Sequence, residues 1–485
     1  MTGVAVRNID YGSVKLRAWS FIERFDGRTD LSLGDARAYL SALVDIIILE
    51  KGYDYLAALA EAVRHAEDIY SSRGYGGIAE DYSRVYNRWL EIDRSRLAAS
   101  KYLSVLPQLR QERDRVGEEL TVVSLFTGAY GLDLGFELAG FKVTVALDIS
   151  EDSYRNLKAN RPKIPFLLGD IKRLSTTDIL KEAGLRPGEV DVITGGPPCQ
   201  PFSPAGRRQS LKDPRAAPLV DFIRVIKEAR PKVFVMEEVP GILSARIRHV
   251  PIKERGKRPL TPEEMPGSAW KVVIEELEKT GYRIAWKVLN AADYGTPQVR
   301  ERVIVIGVRP DLKRPPAFPE PTHSKSSAGL FRALKPWVTL AEALVGIEDH
   351  IGFTPLPPKY AKYMRYVPPG GNWRHIPDEL KPEAMNAAYK AGGGRMGFYR
   401  RLTWFEPSPT LVTSPAMKAT MMVHPWEDRP LSIREYLRIQ GFPDDWKVVV
   451  SVQDAYRLFG EAVPVPLAKA IARAVRSGVL DVEAI

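Results

Sequence analysis

Apolar residues recur at two different periods along this chain, and the change falls near residue 120. Before it, Ala36, Leu40, Leu43 and Ile47 stand at helical spacing, as do Tyr55, Leu59, Val63 and Ala66, so each predicted helix carries one apolar face. A turn at 71–77 separates this stretch from a second helical one that runs to Leu109. After it, short apolar runs at 121–125, 142–147, 166–170, 191–194, 233–236 and 302–307 alternate with amphipathic helical stretches. That alternation predicts βαβ units in a doubly wound α/β sheet. Beyond 308 the pattern dissolves into a proline-rich stretch and then a region, 352–401, of glycine clusters, Trp373 and several tyrosines. Regularity returns at 402 and ends in a predicted helix at 466–475.

At 485 residues the chain is too long for one compact core, which predicts two or three domains. Its 45% hydrophobic and 27% charged content is that of a globular protein. No apolar run approaches a membrane span, residues 1–10 carry no signal-peptide core, and no metal-ligand spacing occurs, so we expect no membrane partner and no metal. The net charge of +10 is unevenly placed. Residues 1–118 hold 17 Lys/Arg against 18 Asp/Glu, leaving 53 against 42 for the remainder. A basic surplus of this kind suits a polyanion or a solvated surface. It is densest at 246–258, with six Lys/Arg and one Glu, and at 352–401, with nine against three.

Cys199 is the single cysteine, which excludes an intrachain disulfide and a cysteine-based zinc cluster and points to a reducing, cytoplasmic compartment. It lies in Gly195-Gly196-Pro197-Pro198-Cys199-Gln200-Pro201-Phe202-Ser203, just past a predicted strand. Free cysteine often serves as a small buried hydrophobe. A proline-flanked turn at a strand's carboxyl end, where open α/β sheets bind ligands, favours a nucleophile instead. A second strand end runs into Phe126-Thr127-Gly128-Ala129-Tyr130-Gly131, a glycine-bearing turn before a helix. Asp148 ends the next strand and Asp170 the third. Each aspartate alone also fits a cap or a turn. Together on successive strand ends they suit an adenosine-containing cofactor, Asp148 taking ribose hydroxyls and Asp170 the adenine amino group.

Four further segments bear on function: Val235-Met236-Glu237-Glu238-Val239-Pro240-Gly241; Gln298-Val299-Arg300-Glu301-Arg302, with Gln, Arg and Arg at period two; Pro407-Ser408-Pro409-Thr410; and Phe459-Gly460-Glu461-Ala462-Val463-Pro464. With the cysteine run they make residues 120–476 resemble the DNA (cytosine-5)-methyltransferases of bacterial and archaeal restriction-modification systems, in the family's motif order. The resemblance implies a Rossmann-like S-adenosylmethionine-dependent core at 119–308, a connecting segment at 309–351, a target-recognition region at 352–401 and a C-terminal part at 402–485 that completes the core. Residues 1–118 fall outside it as a helical accessory domain, with a helix-turn-helix DNA reader as the alternative. It implies Cys199 as nucleophile at cytosine C6, Glu237 at N3 and the amine, Arg302 at O2, and Gln298 and Arg300 as supports of the active-site loop.

S-adenosyl-L-methionine is the implied cofactor, with Phe126 on the adenine, Gly128 in the turn, Asp148 and Asp170 as above, and Pro198, Glu461 and Val463 lining the pocket. Double-stranded DNA is the implied partner, engaged through Arg207, Arg208, Lys212, Arg246, Arg248, Arg374 and Arg395 around a flipped base. A separately acting endonuclease and a monomeric state are further expectations. The chain departs from the family's pattern at Ser124 (usually Asp), Tyr130 (Gly), Asp148 (Glu), Pro218 (Leu), Glu238 (Asn) and Glu461 (Asn). A two-cysteine RNA methyltransferase is excluded by the lone thiol. A non-catalytic DNA-binding paralogue would lack the nucleophile or Glu237, and both are present.

Overall fold

The computed structural model describes residues 119–198, 217–248, 250, 257–325, 334–344, 347, 350–390, 397–404, 406–425 and 427–481. The expected N-terminal helices, Cys199, Arg207, Arg208, Lys212 and Arg395 lie outside them. Among the described residues no helix is long and apolar enough to cross a membrane. Contacts divide the chain into two compact units. One contains Thr339–Tyr436; the other contains the described residues of 119–338 and 437–481.

The larger unit is built on a seven-stranded sheet. In chain order it comprises β1 (Thr121–Leu125), α1 (Gly131–Glu137), β2 (Lys142–Asp148), α2 (Glu151–Asn160), β3 (Phe166–Leu168), α3 (Thr176–Ala183), β4 (Val192–Gly195), α4 (Ala217–Ala229) and β5 (Val233–Glu238). There follow α5 (Ser268–Glu278), β6 (Arg283–Asn290), the two-residue β7 (Gln298–Val299) and β8 (Glu301–Val308). The strand order is β3-β2-β1-β4-β5-β8-β6, with β1 to β5 parallel and β8 antiparallel to both β5 and β6. Central strands are apolar because both faces are covered, as in β4, where every residue is buried. Phe222 of α4 meets Phe234 of β5 edge-on at 6.3 Å, fixing the helix against the sheet. β6 is not among the strands that apolar runs predict. As an edge strand it leaves Trp286 and Val288 exposed, so it carries no buried run to read.

The chain leaves β1 toward β2 and β3, then returns to place β4 on the other side of β1. Connections therefore depart in opposite directions at β1 and β4 and leave a crevice beyond their carboxyl ends. The last helices close one wall of this unit: after α6 (Pro358–Met364), which belongs to the other unit, and α7 (Ile433–Gln440) come α8 (Val452–Glu461) and α9 (Val465–Val475). Helix α9 reaches α1 because Gly131 and Gly135 share one face of α1 at a four-residue spacing. A Cβ on Gly131 would stand 2.2 Å from the Val463 carbonyl oxygen, and one on Gly135 2.3 Å from the Ala468 Cβ. Gly135→Ala is expected to destabilise this unit by about 1–3 kcal/mol, the cost of overpacking, measured by urea unfolding against wild type.

The unit containing Thr339–Tyr436 has little regular structure and an apolar core of Tyr363, Met364, Val367, Ile376, Met385, Tyr399, Met421 and Val423. Buried charge organises it. Arg401, part of the basic surplus of 352–401, is 1% exposed. It donates to the carbonyls of Met364, Val367, His424 and Glu427 at 2.7–3.1 Å and pairs with Asp428. Arg429 makes a two-pronged contact with buried Glu435 at 2.9 and 2.8 Å. Burial alone would raise the Glu435 pKa, but the Arg429 hydrogen bonds hold it down at about 2. His424 Nδ1 accepts the Glu427 backbone N–H at 3.1 Å, and burial pushes the imidazole down to about 4. Below the ordinary value of 6.5 the unfolded chain takes up this proton while the folded chain stays neutral down to about 4, so stability falls as pH falls through that window. Chemical denaturation at pH 7 and pH 5 is expected to show a loss of about 2 kcal/mol that His424→Gln does not share.

Candidate active site

Three left-handed residues shape the turn after β1. Phe126, Gly128 and Tyr130 have φ of 57°, 53° and 73°. Only glycine adopts this region without cost, so Phe126 and Tyr130 store strain. Tyr130 is held there by full burial, by donating its hydroxyl to Glu137 at 2.7 Å, and by stacking 6.2 Å from Trp446. Tyr130, expected from the resemblance to be a glycine, is thus a side chain buried in the core. The Gly128 N–H donates to Asp148 Oδ2 at 2.8 Å, and the Ser150 N–H to Asp148 Oδ1 at 2.9 Å. Asp148 is therefore fixed at the end of β2, with a second lone pair on each oxygen for a ligand. Burial raises its pKa against these two bonds.

Around this carboxylate stand the other residues expected to bind a cofactor. Phe126 is half-buried, with its ring centroid 6.5 Å from that of Phe222. Asp170 follows β3, and its Oδ1 accepts the Lys172 N–H at 3.0 Å, capping a helical turn at Ile171–Arg173. The cap role that an aspartate suits on its own is thus present here. Glu461 ends α8 at an exposed position, where partial desolvation raises its carboxylate pKa against the opposing charges of Arg457 and Arg300. Val463 is buried, its carbonyl against Gly131. Ile149, which the sequence did not single out, is an apolar side chain 70% exposed beside Asp148. Its only signal was an apolar residue just past a strand end.

On the other side of β1, β4 runs into Gly195-Gly196-Pro197-Pro198, and Pro198 is exposed at the last described position before Cys199. Next to it β5 presents Glu237. Glu237 lies opposite Ile304 of β8, which places Arg302, two residues earlier, diagonally across the same face. Arg302 Nε stands 2.5 Å from Glu237 Oε1, both side chains being largely shielded, and Arg302 Nη1 donates to the Glu301 carbonyl at 2.7 Å. A Cβ on Gly196 would come 2.9 Å from Glu237 Oε2, so glycine lets the loop toward Cys199 pass this carboxylate without displacing it. Gln298 and Arg300 alternate inward with Arg302, as their spacing predicts. Both turn to the C-terminal segment: Gln298 donates to Gln440 Oε1 at 3.0 Å, and Arg300 to the Glu461 carbonyl at 3.0 Å. Gln440 in turn donates to the Phe459 carbonyl at 2.5 Å.

Of the basic candidates, Arg246 is half-buried and Arg248 exposed. Their neighbour Arg258 is committed to buried Glu264 through bonds of 2.6 and 2.7 Å. In the other unit Arg374 is exposed, its guanidinium 5.8 Å over the Trp373 ring.

A ligand crevice at the sheet's switch point, a fixed carboxylate on β2 and an acid–guanidinium pair on β5 and β8 together suit a group-transfer enzyme. The chain belongs to the C-5 cytosine-specific DNA methylase family, whose model matches residues 120–477. It is a DNA methyltransferase acting at C5 of cytosine. It is similar to the type II methyltransferase M.PspPI of Psychrobacter sp. (strain TA137), with 40% identity over 363 residues, 73% of this chain and 78% of that one. M.Sau96I of Staphylococcus aureus is 34% identical over 74% of this chain and 76% of its own, and M.Eco47II of Escherichia coli 36% identical over 73% and 78%. Gly196→Ala is expected to displace the Glu237 carboxylate and slow methyl transfer about tenfold or more. Asp148 ends β2, which β1 and β4 separate from β5, so a cofactor affinity that fell in step with the rate would contradict this account.

Proposed function

We propose that Cys199 is the nucleophile of this methyltransferase, that Glu237 and Arg302 stabilise the activated cytosine, and that S-adenosylmethionine is the methyl donor. One observation carries the reading: the Glu237–Arg302 pair stands where the Gly195–Pro198 backbone passes on its way to the lone cysteine. The donor crevice fits an adenosine moiety. Asp148 keeps two lone pairs for vicinal hydroxyls, and Ile149 and Phe126 offer apolar surface. When bound, S-adenosylmethionine would supply a methyl group made electrophilic by its sulfonium, the S–C bond breaking so that sulfur keeps the electron pair as a neutral thioether.

Cytosine C5 is a poor nucleophile. Addition of the Cys199 thiolate to C6 breaks the C5–C6 double bond and pushes its electrons toward C5, N3 and O2. Arg302 meets the charge at O2, while the Glu237 carboxyl shares a proton with N3 and accepts from the exocyclic amine. C5 takes the methyl group, its own proton leaves to a base, and the returning electrons expel the thiolate. The base must leave the duplex for this, at a cost of a few kcal/mol that phosphate contacts by residues such as Arg246 and Arg248 offset.

The test uses duplex DNA carrying 5-fluorocytosine at the methylated position, in the presence of S-adenosylmethionine. Fluorine cannot leave as a proton does, so the expected result is a covalent protein–DNA adduct that Cys199→Ala abolishes. An adduct that persists in that variant overturns the assignment. Glu237→Gln and Arg302→Ala are expected to slow methyl transfer roughly tenfold to a thousandfold with little change in donor affinity. Asp148→Ala is expected to show the reverse, weaker donor binding as its first defect.

A further inference from the structure

The mechanism leaves one buried carboxylate unused. Asp133 sits in the first turn of α1, 1% exposed, between the buried apolar residues Leu132 and Leu134. Its hydrogen-bond partners are hydroxyls, not cations. Thr127 donates to Oδ2 by a short bond, Thr194 donates to Oδ1 at 3.2 Å, and Ser124 meets the Thr127 hydroxyl at 2.8 Å. All three hydroxyl residues are buried. Without a cation nearby, burial raises the Asp133 pKa to about 6. An ionised carboxylate here lowers the stability of the fold at neutral pH, because a raised folded-state value means that the protonated form is preferred. A leucine would suit this helix face better for packing alone, and groups whose burial is this unfavourable concentrate where function requires them.

The three hydroxyls indicate the function. Thr127 is the residue between left-handed Phe126 and Gly128, and its N–H already donates to the Leu147 carbonyl at 3.1 Å. Ser124 belongs to β1. Thr194 belongs to β4, one residue before the Gly195–Pro198 run. A single carboxylate thus ties the turn that presents Gly128 and Asp148 to the strand that leads to Cys199. We propose that Asp133 is a positioning residue that fixes the donor-binding turn in register with the nucleophile-bearing strand. The inference rests on the donor and nucleophile assignments above.

Asp133→Asn separates this role from a structural one. The carboxylate accepts from both threonines, whereas an amide has one acceptor, so one hydroxyl must reverse to accept from the amide N–H, and charge-assisted bonds give way to weaker neutral ones in the tether. Binding of S-adenosylhomocysteine to the full chain, measured by titration calorimetry, is expected to weaken at least tenfold in Asp133→Asn. The melting temperature at pH 7.5 is expected to stay equal to wild type or rise, because the buried charge is gone. Thr127→Val is expected to weaken binding likewise, and Thr127→Ser to recover most of that loss. Unchanged affinity in Asp133→Asn overturns the proposal. So does a melting temperature that falls in proportion to the affinity, which marks a purely structural residue. A wild-type chain that fails to bind S-adenosylhomocysteine overturns the donor assignment itself, and the proposal with it.

Discussion

Two glycines on one helix face decide how the catalytic unit closes. Gly131 lets the Val463 backbone, and Gly135 the α9 backbone, approach α1 to a distance that a side chain would block. The end of the chain is thereby anchored beside the turn that follows β1, and it brings Glu461 and Val463 to the crevice. Gln298 and Arg300 depend on the same anchoring, since their partners Gln440 and Glu461 belong to the segment that α9 fixes. A helix pair that packed two ångströms further apart would break those two bonds.

Electrostatics differ on the two sides of β1. Toward β2, burial raises the pKa of Asp148, a carboxylate that is therefore costly to ionise. Toward β5, the carboxylate of Glu237 faces a guanidinium, and the pair can meet a base whose charge changes during reaction. Strand order separates these environments. The β1–β4 switch point places a strained, glycine-dependent turn on one side and a glycine-proline loop on the other, and each needs a backbone that side chains would obstruct.

Much of this was legible in the sequence, for identifiable reasons. Strands β1, β2, β4, β5 and β8 are buried on both faces, so they read as unbroken apolar runs, and the residues at their ends could be assigned by position. The places of Asp148 and Glu237 at strand ends were legible that way. Edge strand β6 was not, because exposure of Trp286 and Val288 removes the signal. The left-handed conformation of Phe126 and Tyr130 was hidden too, since glycine is the usual marker of that region and neither residue is one. Asp133 and Arg401 were read past because their meaning lies in partners far along the chain or buried from solvent. Arg401 added to a basic surplus in the count, yet it spends its charge on four carbonyls and Asp428 inside the core.

The closure of α9 on α1 also sets a time order on the ribosome. Arg476, at the far end of α9, donates to the Gly140 carbonyl across 336 residues of chain. Strands β1 to β5 and Cys199 are synthesised long before their last wall exists. A nascent chain therefore carries β1 to β5 and Cys199 before α9 exists to cover the glycine face of α1. Any shortening of the chain before α9 leaves the glycine face of α1 open to water, whatever the state of the residues that do the chemistry.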